Sequence, residues 1–173
     1  ETGAAVFQLV AELDAGPVFA TFEHPIGRNQ TAGHLLEVLS ERGAGLLTSV
    51  VDDLDAGTAR AVEQAGEVTL APKLDLGDGR LDWSRSAAEL DARIRGTTPE
   101  PGAFALLDDG AERLKVLDAA IAHGDTALAP GEFDLRAGRL LVGTATDPLH
   151  LVTVQPAGKR AMAAADWWRG RSR

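Results

Sequence analysis

The sequence contains no cysteine. Disulfides and thiolate metal sites are therefore excluded. Its four histidines, His24, His34, His123 and His150, are scattered with no pair at metal-ligand spacing, so no metal centre is expected. No apolar run approaches ~18 residues, the length a membrane-spanning helix needs. No positively charged and then apolar leader precedes the first strand-like run. These absences leave a soluble, cytoplasmic protein without a membrane partner as the expectation. The first residue is Glu1 rather than Met, and a strand-like run follows at once. The sequence therefore reads as part of a longer protein.

Positive charge is also scarce. The formal net charge is −9, which on its face argues against a nucleic-acid partner. Its distribution carries more information. Residues 1–58 hold nine acidic and two basic side chains, a balance of −7. Residues 59–102 hold eight and six, a balance of −2, and residues 103–173 hold nine of each. At the end, residues 159–173 hold Lys159, Arg160, Arg169, Arg171 and Arg173 against Asp166 alone. Such asymmetry points to two modules with different partners. With 173 residues, 45% of them hydrophobic, the chain can bury a core without staples.

Residues 4–10 and 17–23 read as strands, the second ending at His24-Pro25, where proline removes a ladder donor. Residues 31–56 read as helix, capped by Thr31 and closed at Asp55-Ala56-Gly57. Gly43-Ala44-Gly45 is expected to split it in two, since each glycine costs about 1 kcal/mol against alanine. His34 falls in its first turn. Two strands and one helical hairpin are too few elements to cover both faces of a sheet. Residues 59–82 read as a linker with a short strand near Val68-Thr69-Leu70. A short helix then opens at Asp82–Glu89, with Ser86 and Glu89 at capping-box spacing. Leu90 and Ile94 form its buried stripe, Gly96 ends it, and Arg93 and Arg95 face solvent.

From Pro101 onward, short strands are expected at 103–108, 113–121, 131–135, 139–144 and 149–155, with tight turns at Asp109-Gly110 and Ala137-Gly138. Five such strands fit a small barrel resembling the oligonucleotide-binding (OB) fold, or a small sandwich. Residues 161–170 read as a terminal helix. Trp167 and Trp168 either pack it on the barrel or stack on bases.

Between the first two strands lies Glu12-Leu13-Asp14-Ala15-Gly16-Pro17. A carboxylate in a Gly-Pro corner on a rigid scaffold is a usual seat for a catalytic side chain. Asp, Gly and Pro are also ordinary turn residues, so the corner alone supports either reading.

Three stretches together resemble one family. The Glu12–Pro17 corner resembles the aspartate loop of the folate-dependent formyltransferases. Ala71-Pro72-Lys73-Leu74, Arg80-Leu81-Asp82-Trp83-Ser84, Ala92–Gly96 and Pro99–Phe104 resemble the linker and C-terminal domain of the methionyl-tRNA formyltransferase family. Val154-Gln155-Pro156-Ala157-Gly158-Lys159-Arg160-Ala161-Met162 resembles that family's Gln-Pro-Ala-Gly-Lys signature.

The resemblance implies an α/β remnant, the end of a Rossmann-like formyltransferase domain, over 1–58. A linker over 59–82 and an OB-like, tRNA-binding barrel over 83–173 would follow. It implies formyl transfer from 10-formyltetrahydrofolate to the amino group of initiator methionyl-tRNA. Asp14 matches the family's catalytic aspartate, and Val10, Ala11 and Glu12 match a stretch whose backbone lines the folate. The family's catalytic asparagine and histidine lie upstream in an Asn-x-His segment, and none occurs here. The chain is thus expected to need the N-terminal part of the same enzyme and to be inactive alone. For tRNA phosphates, Lys73, Arg80, Lys159 and Arg160 are the candidate contacts. An amino-sugar formyltransferase and a non-catalytic RNA-binding module are the alternatives.

Overall fold

The computed structural model describes residues 1–126 and 128–171. Arg173, at the end of the expected basic tail, lies outside them. The chain divides into two compact units, Glu1–Pro72 and Lys73–Arg173. Their boundary falls inside the connection expected over 59–82. Among the described residues no helix is long and apolar enough to cross a membrane.

The first unit is built on an antiparallel hairpin of β1 (Thr2–Phe7) and β2 (Val18–His24), in register from Thr2 opposite His24 to Val6 opposite Ala20. Helix α1 (Ala32–Asp55) follows. Thr31 caps it, its hydroxyl accepting the His34 N–H at 3.3 Å. The helix runs unbroken through Gly43-Ala44-Gly45, against the expected split. Tertiary contacts next to the glycines explain this. Arg42 lays its guanidinium 4.1 Å from the centre of the Phe22 ring and bonds the Glu23 carbonyl and His24 Nδ1. That anchor ties the middle of the helix to β2 and offsets the glycine cost. Beyond α1 the chain returns to β2, where Val62 and Val18 exchange both backbone hydrogen bonds at 2.8 and 2.9 Å. The strand expected near Val68 does not form. Val68 and Leu70 are almost fully exposed and pair with nothing among the described residues.

The second unit opens with a 3-10 turn at Leu76–Gly79 and helix α2 (Ala87–Thr97). Ser86 and Glu89 form the capping box, and the Ser86 hydrogen bonds hold the Glu89 carboxyl below its usual range. Leu90 and Ile94 are buried as the helical spacing requires. Five main strands follow: β3 (Phe104–Leu107), β4 (Glu112–Ile121), β5 (Phe133–Arg136), β6 (Arg139–Val142) and β7 (Leu149–Pro156). All pair antiparallel in the order β3-β4-β7-β6-β5.

Ala137 and Gly138, at φ 48° and 79°, form the two-residue turn between β5 and β6. Left-handed backbone at both positions matches the strand twist, which is why glycine sits there. A short strand β8 (Met162–Ala163), expected as helix, pairs with β7 before helix α3 (Ala164–Arg171). Its pairing takes up the stretch of β7 that β6 leaves free.

The sheet does not close. No pairing joins β3 to β5 among the described residues, so the expected barrel is an open antiparallel sheet. Helices α2 and α3 pack into its core instead, through Leu90, Ile94, Ala164 and Trp167. Trp168 stacks on Phe133, centroids 5.2 Å apart, and Trp167 is buried, so both tryptophans pack. Leu90 is buried beside apolar strand residues. Leu90→Ala should lower the stability of this unit by about 2–5 kcal/mol, read as an earlier urea midpoint at unchanged m-value.

Candidate functional site

The Asp14 corner is held by its backbone. Gln8 N–H donates to the Pro17 carbonyl at 2.9 Å, closing the loop at its neck. Gln64 donates its side-chain amide to two carbonyls, Asp14 O at 2.7 Å and Gly16 O at 2.8 Å. The Val18–Val62 pair places Gln64 within reach, two residues beyond the bridge. Gly16 is buried, and a Cβ there would stand 1.7 Å from the Gln8 carbonyl oxygen. Only glycine fits that approach.

Asp14 itself takes φ 54°, the left-handed region that Asp enters more readily than most residues. Its residue is exposed, and no hydrogen bond or ion pair engages its carboxylate among the described residues. A fixed backbone therefore presents a free carboxylate, which can take a proton or orient a donor. Asp14 opens on a cleft of about 830 Å³ lined also by Leu13, Gln64, Val68 and Leu70. Val10, Ala11 and Glu12 precede it in exposed, irregular chain. The backbone groups of Val10 and Ala11 have no hydrogen-bond partner among the described residues.

The second candidate site is basic and lies on the outer face of the second unit. Strand alternation turns Leu114, Val116, Val154 and Pro156 inward and Arg113, Lys115 and Gln155 outward. Register puts Arg113 opposite Leu106, Lys115 opposite Phe104, and Gln155 opposite Lys115. Arg80 bridges to Phe104 on the far side of β3. Lys159 and Arg160 occupy the exposed turn directly after β7. A cleft of about 770 Å³ is lined by Arg80, Arg85, Arg93, Asp82, Trp83 and Leu106. Hydrogen bonds from Ser84 hold the Asp82 carboxyl below its usual range. Of the four cations named from the sequence, Arg80, Lys159 and Arg160 lie along this face. Lys73 is exposed at the start of the unit.

Ion pairing separates the cations into two sets. In this unit Arg85, Arg95, Arg136, Arg139, Arg169 and Arg171 each meet a carboxylate. Arg93 is exposed as expected and donates to the Asp78 carbonyl at 2.5 Å. Lys73, Arg80, Arg113, Lys115, Lys159 and Arg160 meet no carboxylate among the described residues. Arg113, Lys115 and Gln64 are not among the candidates named from the sequence, and Gln155 appears there only within the Gln-Pro-Ala-Gly-Lys signature. The alternation Arg113-Leu114-Lys115-Val116 holds a readable signal for the first two. Nothing local marks Gln64, whose role comes from a contact 50 residues away.

Gln64→Ala should remove both amide bonds and loosen the corner by roughly 1–3 kcal/mol. Hydrogen exchange at Gln8, whose N–H closes the neck on the Pro17 carbonyl, should speed about ten-fold or more, while the paired amides of β1 and β2 keep their protection.

Residues 73–172 match the family described as "Formyl transferase, C-terminal domain". The chain is 54% identical over 169 residues to the methionyl-tRNA formyltransferase of Clavibacter sepedonicus, and 55% over 170 residues to that of Leifsonia xyli subsp. xyli. Each match covers 98% of this chain and 55% of the relative, so the chain spans about half the length of the curated relatives it matches. Among solved structures, HypX from Aquifex aeolicus superposes with a TM-score of 0.76 at 18% identity, over 98% of this chain and 30% of that one. HypX has also been solved in complex with tetrahydrofolic acid, TM-score 0.73 at 18% identity, over 95% of this chain and 29% of that one.

Proposed function

This chain belongs to the formyl transferase C-terminal domain family, and from that membership we propose that it serves a methionyl-tRNA formyltransferase. In this reading its first unit brings the catalytic aspartate, Asp14, as the end of a Rossmann-like domain. Its second unit, OB-like in function though open in form, brings RNA contacts. The identity of 54–55% that runs over both units carries the proposal. The formyl donor is 10-formyltetrahydrofolate and the acceptor is initiator methionyl-tRNA, in the cytoplasm. The exposed apolar face of the first unit, with Leu36, Leu47, Val51 and Leu54 each more than half in solvent, supports its packing against the N-terminal part of the same enzyme.

The chemistry is acyl transfer to an amine. The neutral α-amine of methionine bonds the formyl carbon, an oxyanion and an ammonium develop together, and the carbon–nitrogen bond to the folate breaks. The ammonium proton must go to a base, directly or through water. Asp14 is that carboxylate, held on a backbone that Gln64 and Gly16 fix, or it orients a neighbouring imidazole. Placed donors must meet the oxyanion. No Asn-x-His segment occurs in this sequence, so those donors come from outside it. Val10, Ala11 and Glu12 fit a folate edge through their backbone, since Val10 and Ala11 leave their polar groups unused and exposed.

RNA enters through phosphate contacts, which need cations along a path. Arg80, Lys159 and Arg160 support such a path because they stay unpaired in a unit where six other arginines are paired. Lys73 would extend it at the start of the unit.

Asp14→Asn in the full-length enzyme should leave the fold intact and remove most turnover, about 10²-fold or more. Near-normal formylation would reduce Asp14 to a turn residue. The 173-residue chain alone should formylate neither methionyl-tRNA nor a nucleotide amino-sugar. Lys159→Ala with Arg160→Ala should weaken tRNA binding and flatten its salt dependence, while unchanged affinity would remove these two from the path.

A further inference from the structure

We propose that Arg113, Lys115 and Gln155, with the turn at Ala157–Gly158, form a phosphate-binding subsite that seats one phosphodiester of the bound RNA. This rests on the RNA-binding reading above and adds a place on the sheet where the strand is gripped. The opening measures about 310 Å³, and no carboxylate among the described residues lines it. The larger cleft beside Arg80 differs in that respect. Asp82 lines it, Arg85 is paired with Glu89, and Arg93 is spent on the Asp78 carbonyl.

The donors in the smaller opening are pre-positioned and unspent. The Arg113 guanidinium lies 4.3 Å from the centre of the Phe104 ring. Stacking on a ring fixes a guanidinium plane and consumes none of its N–H groups. Its Nε is buried and has no hydrogen-bond partner among the described residues, an expensive state for a polar group unless something meets it. Lys115 stands two residues along the same strand face, with no hydrogen bond or ion pair among the described residues. A fork and a point charge side by side suit the oxygens of a phosphate.

The third wall is equally fixed. Gln155 sits opposite Lys115 and donates Nε2 to the Lys159 carbonyl at 3.0 Å. Lys159 N–H donates back to the Pro156 carbonyl at 3.1 Å. The turn between them passes through Gly158 at φ 70° and lines the opening. Lys159 and Arg160 then follow, unpaired and exposed, where the neighbouring phosphates of a strand would lie. One carboxylate ligand would satisfy the opening but would leave those two cations without a partner. A polyanion with repeated phosphates meets all four.

The test is fluorescence anisotropy of a fluorescein-labelled initiator tRNA transcript with the whole 173-residue chain, from 50 to 200 mM KCl. Arg113→Gln with Lys115→Gln should weaken binding about ten-fold at the lowest salt. The slope of log affinity against log salt should fall by about 1.4–1.8, two contacts at ~0.7–0.9 each. Arg139→Gln, which breaks the pair with Asp125 elsewhere on the sheet, should change neither. Should the double variant lose its cooperative thermal melt, Lys115→Gln alone should still flatten the slope by about 0.7–0.9.

Wild-type affinity and slope in a folded Arg113→Gln, Lys115→Gln chain would overturn the subsite. If Lys159→Ala with Arg160→Ala still weakened binding, the RNA reading would stand without it. If neither pair mattered, both would fall. Inorganic phosphate should compete with the RNA at millimolar concentration in the wild-type chain. Labelled poly-glutamate bound as tightly as RNA, and lost on the same double change, would assign the opening to acidic peptides instead.

Discussion

The antiparallel pairing of β4 with β7 sets both what the second unit buries and what it shows. The side-chain period of a strand is two, so one register decides both faces. Leu114 and Val116 face Pro156 and Val154 across the ladder, and all four are buried. Each large apolar side chain removed from water there is worth about 1.5–3 kcal/mol. The residues between them, Arg113, Lys115 and Gln155, then have no choice but the outer face. A slip of one residue would bury two cations and expose the core. The basic surface is in this sense guaranteed by the hydrophobic one.

The first unit depends on a different constraint. It has one hairpin and one helix, and much of its apolar surface remains in contact with solvent. Its candidate catalytic corner owes its shape to backbone hydrogen bonds and one side-chain amide. Gln64 grips the carbonyls on either side of Ala15, and Gly16 admits the Gln8 carbonyl at a distance no side chain would permit. These leave the Asp14 carboxylate uncommitted, as a group that exchanges a proton with a substrate must be.

Local chemistry was readable in the sequence wherever a local rule decided the outcome. The Thr31 cap, the Ser86–Glu89 box, the Ala137-Gly138 hairpin and the five main strands follow from turn residues and period. Outcomes set by distant contacts were not. Arg42 on Phe22 carries α1 past its glycines. The pairing of Val62 with Val18 converts expected linker into the support of the Asp14 corner. The short β8 takes a place beside β7, and no pairing among the described residues joins β3 to β5 to close the sheet. In the candidate site, Asp14 was visible as a carboxylate in a tight corner, and its proposed role came only with the family resemblance. Gln64 had no local mark.

Net charge misleads for a related reason. A total of −9 discourages an RNA partner, yet it does not say where the cations lie: in the second unit seven of the fifteen acids are paired with six of its arginines, and other cations carry no such pair. The cations that meet no carboxylate among the described residues, and so are open to a polyanion, are Lys73, Arg80, Arg113, Lys115, Lys159 and Arg160. The most direct test is the salt dependence of initiator methionyl-tRNA binding to the unmodified 173-residue chain. Six unpaired cations engaging phosphates predict a slope of log affinity against log salt of about −4 to −5. A slope near zero, or no binding at 50 mM salt, would contradict a role for this unit in holding RNA.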